Sequence, residues 1–129
     1  MRLIFFILLC TCLSCSNTPQ PKSDTITIPV ATPITSIANG EKLFKINCVQ
    51  CHRPAEDFAA PAIAGSENRW KDKTLLYEFV RNSQDVIKRD KYAASLFEKW
   101  NKVYMQPFSH LTNEDIDAIL KYCNQVAKQ

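Results

Sequence analysis

Cys48, Val49, Gln50, Cys51 and His52 stand in a row that places two thiols three positions apart with an imidazole immediately after them. Sulfur and nitrogen at this spacing suit three chemistries: covalent attachment of a haem, a metal site, or a dithiol redox pair. In the first, the two sulfurs reach the two vinyl groups on one edge of a porphyrin as thioethers, and the adjoining His turns under the ring as proximal iron ligand. A structural zinc site needs four ligands; Cys48 and Cys51 could recruit His110 or Cys123, but the chain has no second tight pair. A thioredoxin-like pair sits where a strand enters a helix in a βαβ unit, and no strand is predicted at this position.

The elements around the motif read as helices. From Asn39 onward the apolar period is near 3.6, and no run alternates convincingly as a strand. Asn39 is expected to cap a helix with Gly40, Leu43, Phe44 and Asn47 along one side and Glu41, Lys42 and Lys45 outward. A second helix is expected over residues 74–81 behind Asp72, with Leu76, Phe79 and Val80 inward. A third follows Asp90 with Ala93, Leu96, Phe97 and Trp100 at i, i+3, i+4 and i+7. The last begins at Thr112, whose hydroxyl can cap the amides near Asp115, and is expected to bury Ile116, Ile119, Leu120, Cys123 and Ala127. Four short helices make an all-α domain over residues 39–129. A domain of that size often needs a staple to complete its core. A haem fixed at Cys48 and Cys51 would be one.

Composition bounds the rest. The chain has 129 residues, 46% of them hydrophobic and 22% charged, which fits one small globular domain. A formal charge of +3 without a basic stripe argues against a nucleic-acid partner. Six Cys are spread too unevenly for a disulfide framework: Cys10, Cys12 and Cys15 crowd the start, Cys48 and Cys51 pair, and Cys123 stands alone.

Residues 1–14 read as an export address, with Arg2 ahead of an unbroken apolar run and small residues behind it. The run is too short for a membrane span, which takes about 20 apolar residues. Leu13, Ser14 and Cys15 resemble the lipobox of bacterial lipoproteins. That resemblance implies cleavage before Cys15 and lipid on its sulfur, although the family usually has an aliphatic residue where Cys12 stands. Residues 15–38, rich in Pro, Ser and Thr, read as an extended tether. At about 3.1 Å per residue it would reach roughly 70 Å. The alternation of Thr25, Ile26, Thr27 and Ile28 leaves a short edge strand open.

Over residues 39–128 the chain resembles class I cytochromes c, and the resemblance extends beyond the haem motif. Gly40 and Phe44 look like the family's N-terminal helix, where a Gly lets the C-terminal helix approach; Ile119 and Tyr122 look like their partners. Pro61, Ala62, Ile63, Ala64 and Gly65 resemble the Pro-x-Leu-x-Gly loop, which implies that the Pro61 carbonyl accepts the proximal imidazole's proton and so orients His52. The family's distal ligand is a Met in a loop before the last helix, commonly Met-Pro-x-Phe. Met105, Gln106, Pro107 and Phe108 stand in that place, with Gln106 where many relatives have Pro. Met1 leaves with the signal segment, so Met105 is the one thioether of the mature chain.

His110 is the only His besides His52, which keeps a bis-His centre as an alternative; its place just before the helix cap favours a solvated loop. Trp70, Tyr77, Phe79, Phe97, Trp100 and Tyr104 are candidate pocket aromatics, and Cys123 reads as a buried, unreactive thiol.

These features imply a mono-haem c-type cytochrome with iron held by His52 and Met105. It is expected to act as a single-electron carrier and not as an enzyme. It would be a monomer at the periplasmic or outer face of a bacterial membrane, anchored through Cys15, and would meet redox partner proteins through an interface below about 1,200 Å². Arg53, Lys99 and Lys102 are candidate docking charges. A small haem peroxidase or sensor would need a labile sixth position. A fixed subunit of a larger oxidoreductase would show a broad apolar patch.

Overall fold

The computed structural model describes residues 33–129. The expected signal segment 1–14, the expected lipid site Cys15, the possible strand at Thr25 to Ile28 and most of the expected tether lie outside the described residues. Within them the order is α1 (Pro33–Asn47), a short 3-10 turn (Ser66–Asn68), α2 (Lys73–Arg81), α3 (Ser83–Ile87), α4 (Lys91–Lys99) and α5 (Asn113–Val126), with no strand. No helix among them is long and apolar enough to cross a membrane.

The caps follow the chemistry of their residues. Asp72 accepts from the Leu75 amide at 2.8 Å and Asp90 from the Ala93 amide at 2.8 Å, which starts α2 and α4. Thr112 and Asp115 form a reciprocal capping box at the start of α5: the Asp115 amide donates to Thr112 Oγ1 at 3.1 Å, and the Thr112 amide to Asp115 Oδ2 at 3.0 Å.

The core is organised by the packing of α1 on α5. Gly40 is buried on α1 against Ala118 and Tyr122 of α5. One turn on, Phe44 is 2% exposed, with its ring centroid 5.6 Å from that of Tyr122. Ile116, Ile119, Leu120 and Cys123 fill the inner face of α5, joined by Leu76, Val86, Phe108 and Leu111 from the other segments. On the flank, Tyr77 of α2 donates to Asp117 Oδ1 at 2.6 Å and Lys73 Nζ lies 2.7 Å from the same oxygen, fastening α2 to α5.

Four expectations need correction. First, α1 begins at Pro33, so residues 33–38 are helical and Asn39 is an exposed interior position and not a cap. Pro suits the first position of a helix, because its fixed φ is helical and the amide it lacks would have had no partner there. Second, the described residues form five α-helices where the sequence leads one to expect four: α3 has only five residues, too few to display a period. Third, α4 ends at Lys99, so Trp100 is its C-cap and not a fourth inward turn. Fourth, Ala127 is exposed at the end of α5.

Candidate functional site

The Cys-x-x-Cys-His row continues from the end of α1 as a run of turns. The amides of Cys48 and Val49 both reach the Phe44 carbonyl, at 2.8 and 3.1 Å, and those of Cys51 and His52 reach the Cys48 carbonyl, at 3.1 and 2.9 Å. Helix-like turns bring the backbone positions i, i+3 and i+4, here Cys48, Cys51 and His52, toward one side. Cys48 is half-buried and Cys51 exposed. Burial, with a smaller contribution from Cys51, pushes the Cys48 thiol up to about 11, so the sulfur is uncharged at neutral pH.

His52 is half-buried, and its Nδ1 lies 2.7 Å from the Pro61 carbonyl oxygen. A carbonyl only accepts, so Nδ1 carries the proton and the Nε2 lone pair is left free for a metal. Burial holds the imidazole below its ordinary value despite the opposing hydrogen bond to Pro61, which keeps it neutral, the form a metal requires.

The loop carrying Pro61 is held on several sides. The amides of Ile63 and Ala64 donate to the carbonyls of Arg53 and Pro54, at 3.2 and 2.9 Å. The Arg69 guanidinium donates to the Ala62 and Ala64 carbonyls, at 2.7 and 3.0 Å. Gly65, at φ 69°, takes the left-handed conformation that a side chain would disfavour. Its amide donates at 2.7 Å to Asn124 Oδ1 on α5. Arg69 and Asn124 thus fix the acceptor of the His52 proton. Sequence reasoning missed both, since nothing in their spacing announces partners on other segments.

Met105 is half-buried and packs against the central apolar cluster. Its carbonyl accepts from Ser83 Oγ at 2.8 Å, and three residues on the Phe108 amide donates to the Val80 carbonyl at 3.3 Å. Phe97 and Tyr104 stack ahead of it with centroids 4.4 Å apart. His110 is exposed, its ring edge-on to Phe108 at 6.3 Å. Cys123 is fully buried. Among the described residues no three His, Cys, Asp or Glu side chains converge to hold a metal ion, so the zinc alternative lacks a donor set.

One buried donor also fits a haem. Trp100 Nε1 is buried with no acceptor among the described residues, and buried N–H groups are seldom left unpaired. A porphyrin bearing carboxylates would supply an acceptor. The other candidate aromatics pair among themselves or with polar groups: Trp70 packs on Phe79 and Tyr92, and Tyr77 bonds Asp117. The candidate docking charges make exposed contacts within the domain. Arg53 lies 3.9 Å over the Phe58 ring, Lys99 is 3.8 Å from Asp57, and Lys102 is 3.5 Å from Glu98.

The family model described as cytochrome c matches residues 37–127. Among solved structures, a cytochrome c from Rhodothermus marinus is 28% identical with a TM-score of 0.61, covering 74% of this chain and 80% of that one. An engineered cytochrome c from the same organism is 28% identical with a TM-score of 0.59, covering 75% and 82%. A third, engineered and bound to a carbene intermediate, is also 28% identical, with a TM-score of 0.57 and coverage of 75% and 81%. Comparison with curated proteins finds no match. The all-helical architecture, the Cys-x-x-Cys-His row at the end of α1 and the match over residues 37–127 agree, and the chain belongs to the cytochrome c family, which carries covalently attached haem c and passes electrons to redox partners.

Proposed function

We propose that this chain is a mono-haem carrier of single electrons in which Cys48 and Cys51 would form the thioethers and His52 Nε2 and Met105 Sδ would hold the iron. Haem c supplies the one-electron couple. The observation that carries the reading is the 2.7 Å hydrogen bond from His52 Nδ1 to the Pro61 carbonyl, which sets the tautomer and leaves Nε2 as the ligating atom. Trp100 Nε1 is available to a haem carboxylate. With the iron held by His52 and Met105, no coordination site would be left for substrate, which favours a carrier over an enzyme. The protein's part is to exclude water, hold both ligands through the redox change and admit a partner briefly.

In this proposal the chain works outside the cytoplasm, at the periplasmic or outer face of a bacterial membrane. Lipid on Cys15 anchors it, and it meets its redox partners one at a time as a monomer. The same reading takes domain organisation as a leader over residues 1–14, a tether over 15–38, of which 33–38 begin α1, and one haem domain over 39–129.

Met105→Ala tests the ligand set. The oxidised wild-type protein should show the weak sulfur-to-iron absorption band at the red end of the visible spectrum. The variant should lose it, fall in reduction potential and bind cyanide faster, while His110→Ala changes none of these. An unchanged Met105→Ala spectrum with a large change in His110→Ala would establish bis-His ligation instead. Labelling with a fatty-acid analogue should vanish in Cys15→Ala; persistence would place the lipid on Cys12 or Cys10.

A further inference from the structure

We infer that Ser83 is the positioning residue for Met105, a latch whose hydroxyl holds the ligand loop closed. The inference rests on Met105 being the distal ligand and adds what keeps it in place. Ser83 is 0% exposed and is the only buried polar residue among the described ones. Its Oγ donates to the Met105 carbonyl at 2.8 Å across a sequence separation of 22. A Ser at the head of a helix ordinarily serves as a cap. Here Asn82 holds the cap position between α2 and α3, and the Ser83 hydroxyl is directed to the loop.

The break between α2 and α3 gives this hydroxyl its position. Asn82 lies outside the helical region, at φ −156° and ψ 86°, so the chain leaves α2, turns, and re-enters a helix with Ser83 buried in the core. The residues before it grip the loop further along. The Val80 carbonyl takes the Phe108 amide at 3.3 Å, and Arg81 donates to the Leu111 carbonyl at 3.4 Å and to Asn113 Oδ1 at 2.9 Å. The segment from Met105 to Asn113 thus hangs from positions 80–83, and Ser83 is the anchor at the ligand itself. Removing it leaves a carbonyl with one partner fewer and a loop whose first fixed point is Phe108. Because release of the sulfur no longer breaks that hydrogen bond, the sulfur-free population should rise.

The test uses the haem-loaded full chain. Cyanide binds the oxidised protein only when the Met105 sulfur has left, so its binding rate reads the open population. Ser83→Ala should bind cyanide roughly three- to tenfold faster and lose the sulfur-to-iron band at a lower pH. Ser83→Thr, which keeps the hydroxyl, should stay near wild type. Val86→Ala, a core truncation on the same helix at a residue 1% exposed, controls for general destabilisation and should lower the melting temperature without a matching rise in cyanide rate. Equal rates in Ser83→Ala and wild type overturn the latch, as do equal rises in Ser83→Ala and Val86→Ala, or in Ser83→Ala and Ser83→Thr. Failure of the underlying ligand assignment reads differently: the wild-type protein itself then lacks the band, and Met105→Ala leaves the cyanide rate unchanged.

Discussion

Gly40 and Ala118 approach so closely that a Cβ on Gly40 would lie 2.0 Å from the Ala118 carbonyl oxygen and 2.5 Å from its carbon, with Tyr122 Cβ at 3.1 Å. The first two of these are backbone atoms of α5 and cannot turn aside. The contact therefore sets the spacing between the two terminal helices, and with it the depth at which Phe44 and Ile119 sit.

Gly40→Ala should accordingly force α1 and α5 apart. Ala gains up to about 1 kcal/mol over Gly in a helix interior, but overpacking of this severity costs about 3 kcal/mol or more. A fall in melting temperature on the order of 10 °C is expected in thermal denaturation of the haem-loaded protein. A variant that melts with the wild type would show that the helices part cheaply.

Cys123 offers a second measurement. It is 0% exposed, and burial, with smaller contributions from Cys48 and Glu67, pushes its thiol up to about 12. Alkylation requires thiolate and access, and the folded protein denies both. Iodoacetamide at pH 8 should leave Cys123 unmodified in the native protein and modify it fully in denaturant, read by peptide mass. Native labelling would argue for a redox or dimer-forming role.

Much of this arrangement was legible beforehand because it is local. Caps at Asp72, Asp90 and Thr112 act within three residues, the stripe on α5 repeats with the helix, and the Cys-x-x-Cys-His row is contiguous. What escaped is long-range or compositional. Ser83 meets Met105, and Asn124 meets Gly65, across separations of 22 and 59 that no period encodes. Residues 33–38 look like tether because Pro, Ser and Thr have low helix propensity, yet Pro33 occupies the one helical position that welcomes it. The five residues of α3 are too short for any periodic signal.

The acid limb of the stability curve should depend on Asp117. Partial burial alone would push its carboxyl up, but hydrogen bonds from Lys73 and Tyr77, with the charges of Lys73 and Lys121, outweigh it and hold the group below its ordinary value. A folded value below the unfolded one means that the unfolded chain takes up the proton first. The stabilisation is then complete above the unfolded value of about 3.9 and is lost as pH falls through the folded value. Asp117→Asn should lower denaturant stability at pH 6, and the gap to wild type should close below about pH 4. A gap that does not change with pH would mean that the carboxylate's charge contributes nothing.

The approach to Met105 provides the last prediction. Helix α4 closes with Trp100 as C-cap and Asn101 at φ 57°, and the Lys102 amide donates to the Phe97 carbonyl at 2.9 Å. This is the bonding of a left-handed helix stop, for which Asn is a good second choice after Gly. Lys102 then repeats the left-handed conformation at φ 59°, where its Cβ crowds the following carbonyl at a cost of about 1 kcal/mol or more. Its exposed ion pair with Glu98 at 3.5 Å returns little. Lys102→Gly should therefore stabilise the protein by about 0.5–1 kcal/mol, net of the greater freedom that Gly gives the unfolded chain. Lys102→Val, β-branched at the same φ, should destabilise it. If this turn also aims the Met105 loop, the sulfur-to-iron band should persist in the Gly variant and weaken in the Val variant. A Val variant as stable as the wild type, with its band intact, would show that the chain reaches Met105 equally well by another path.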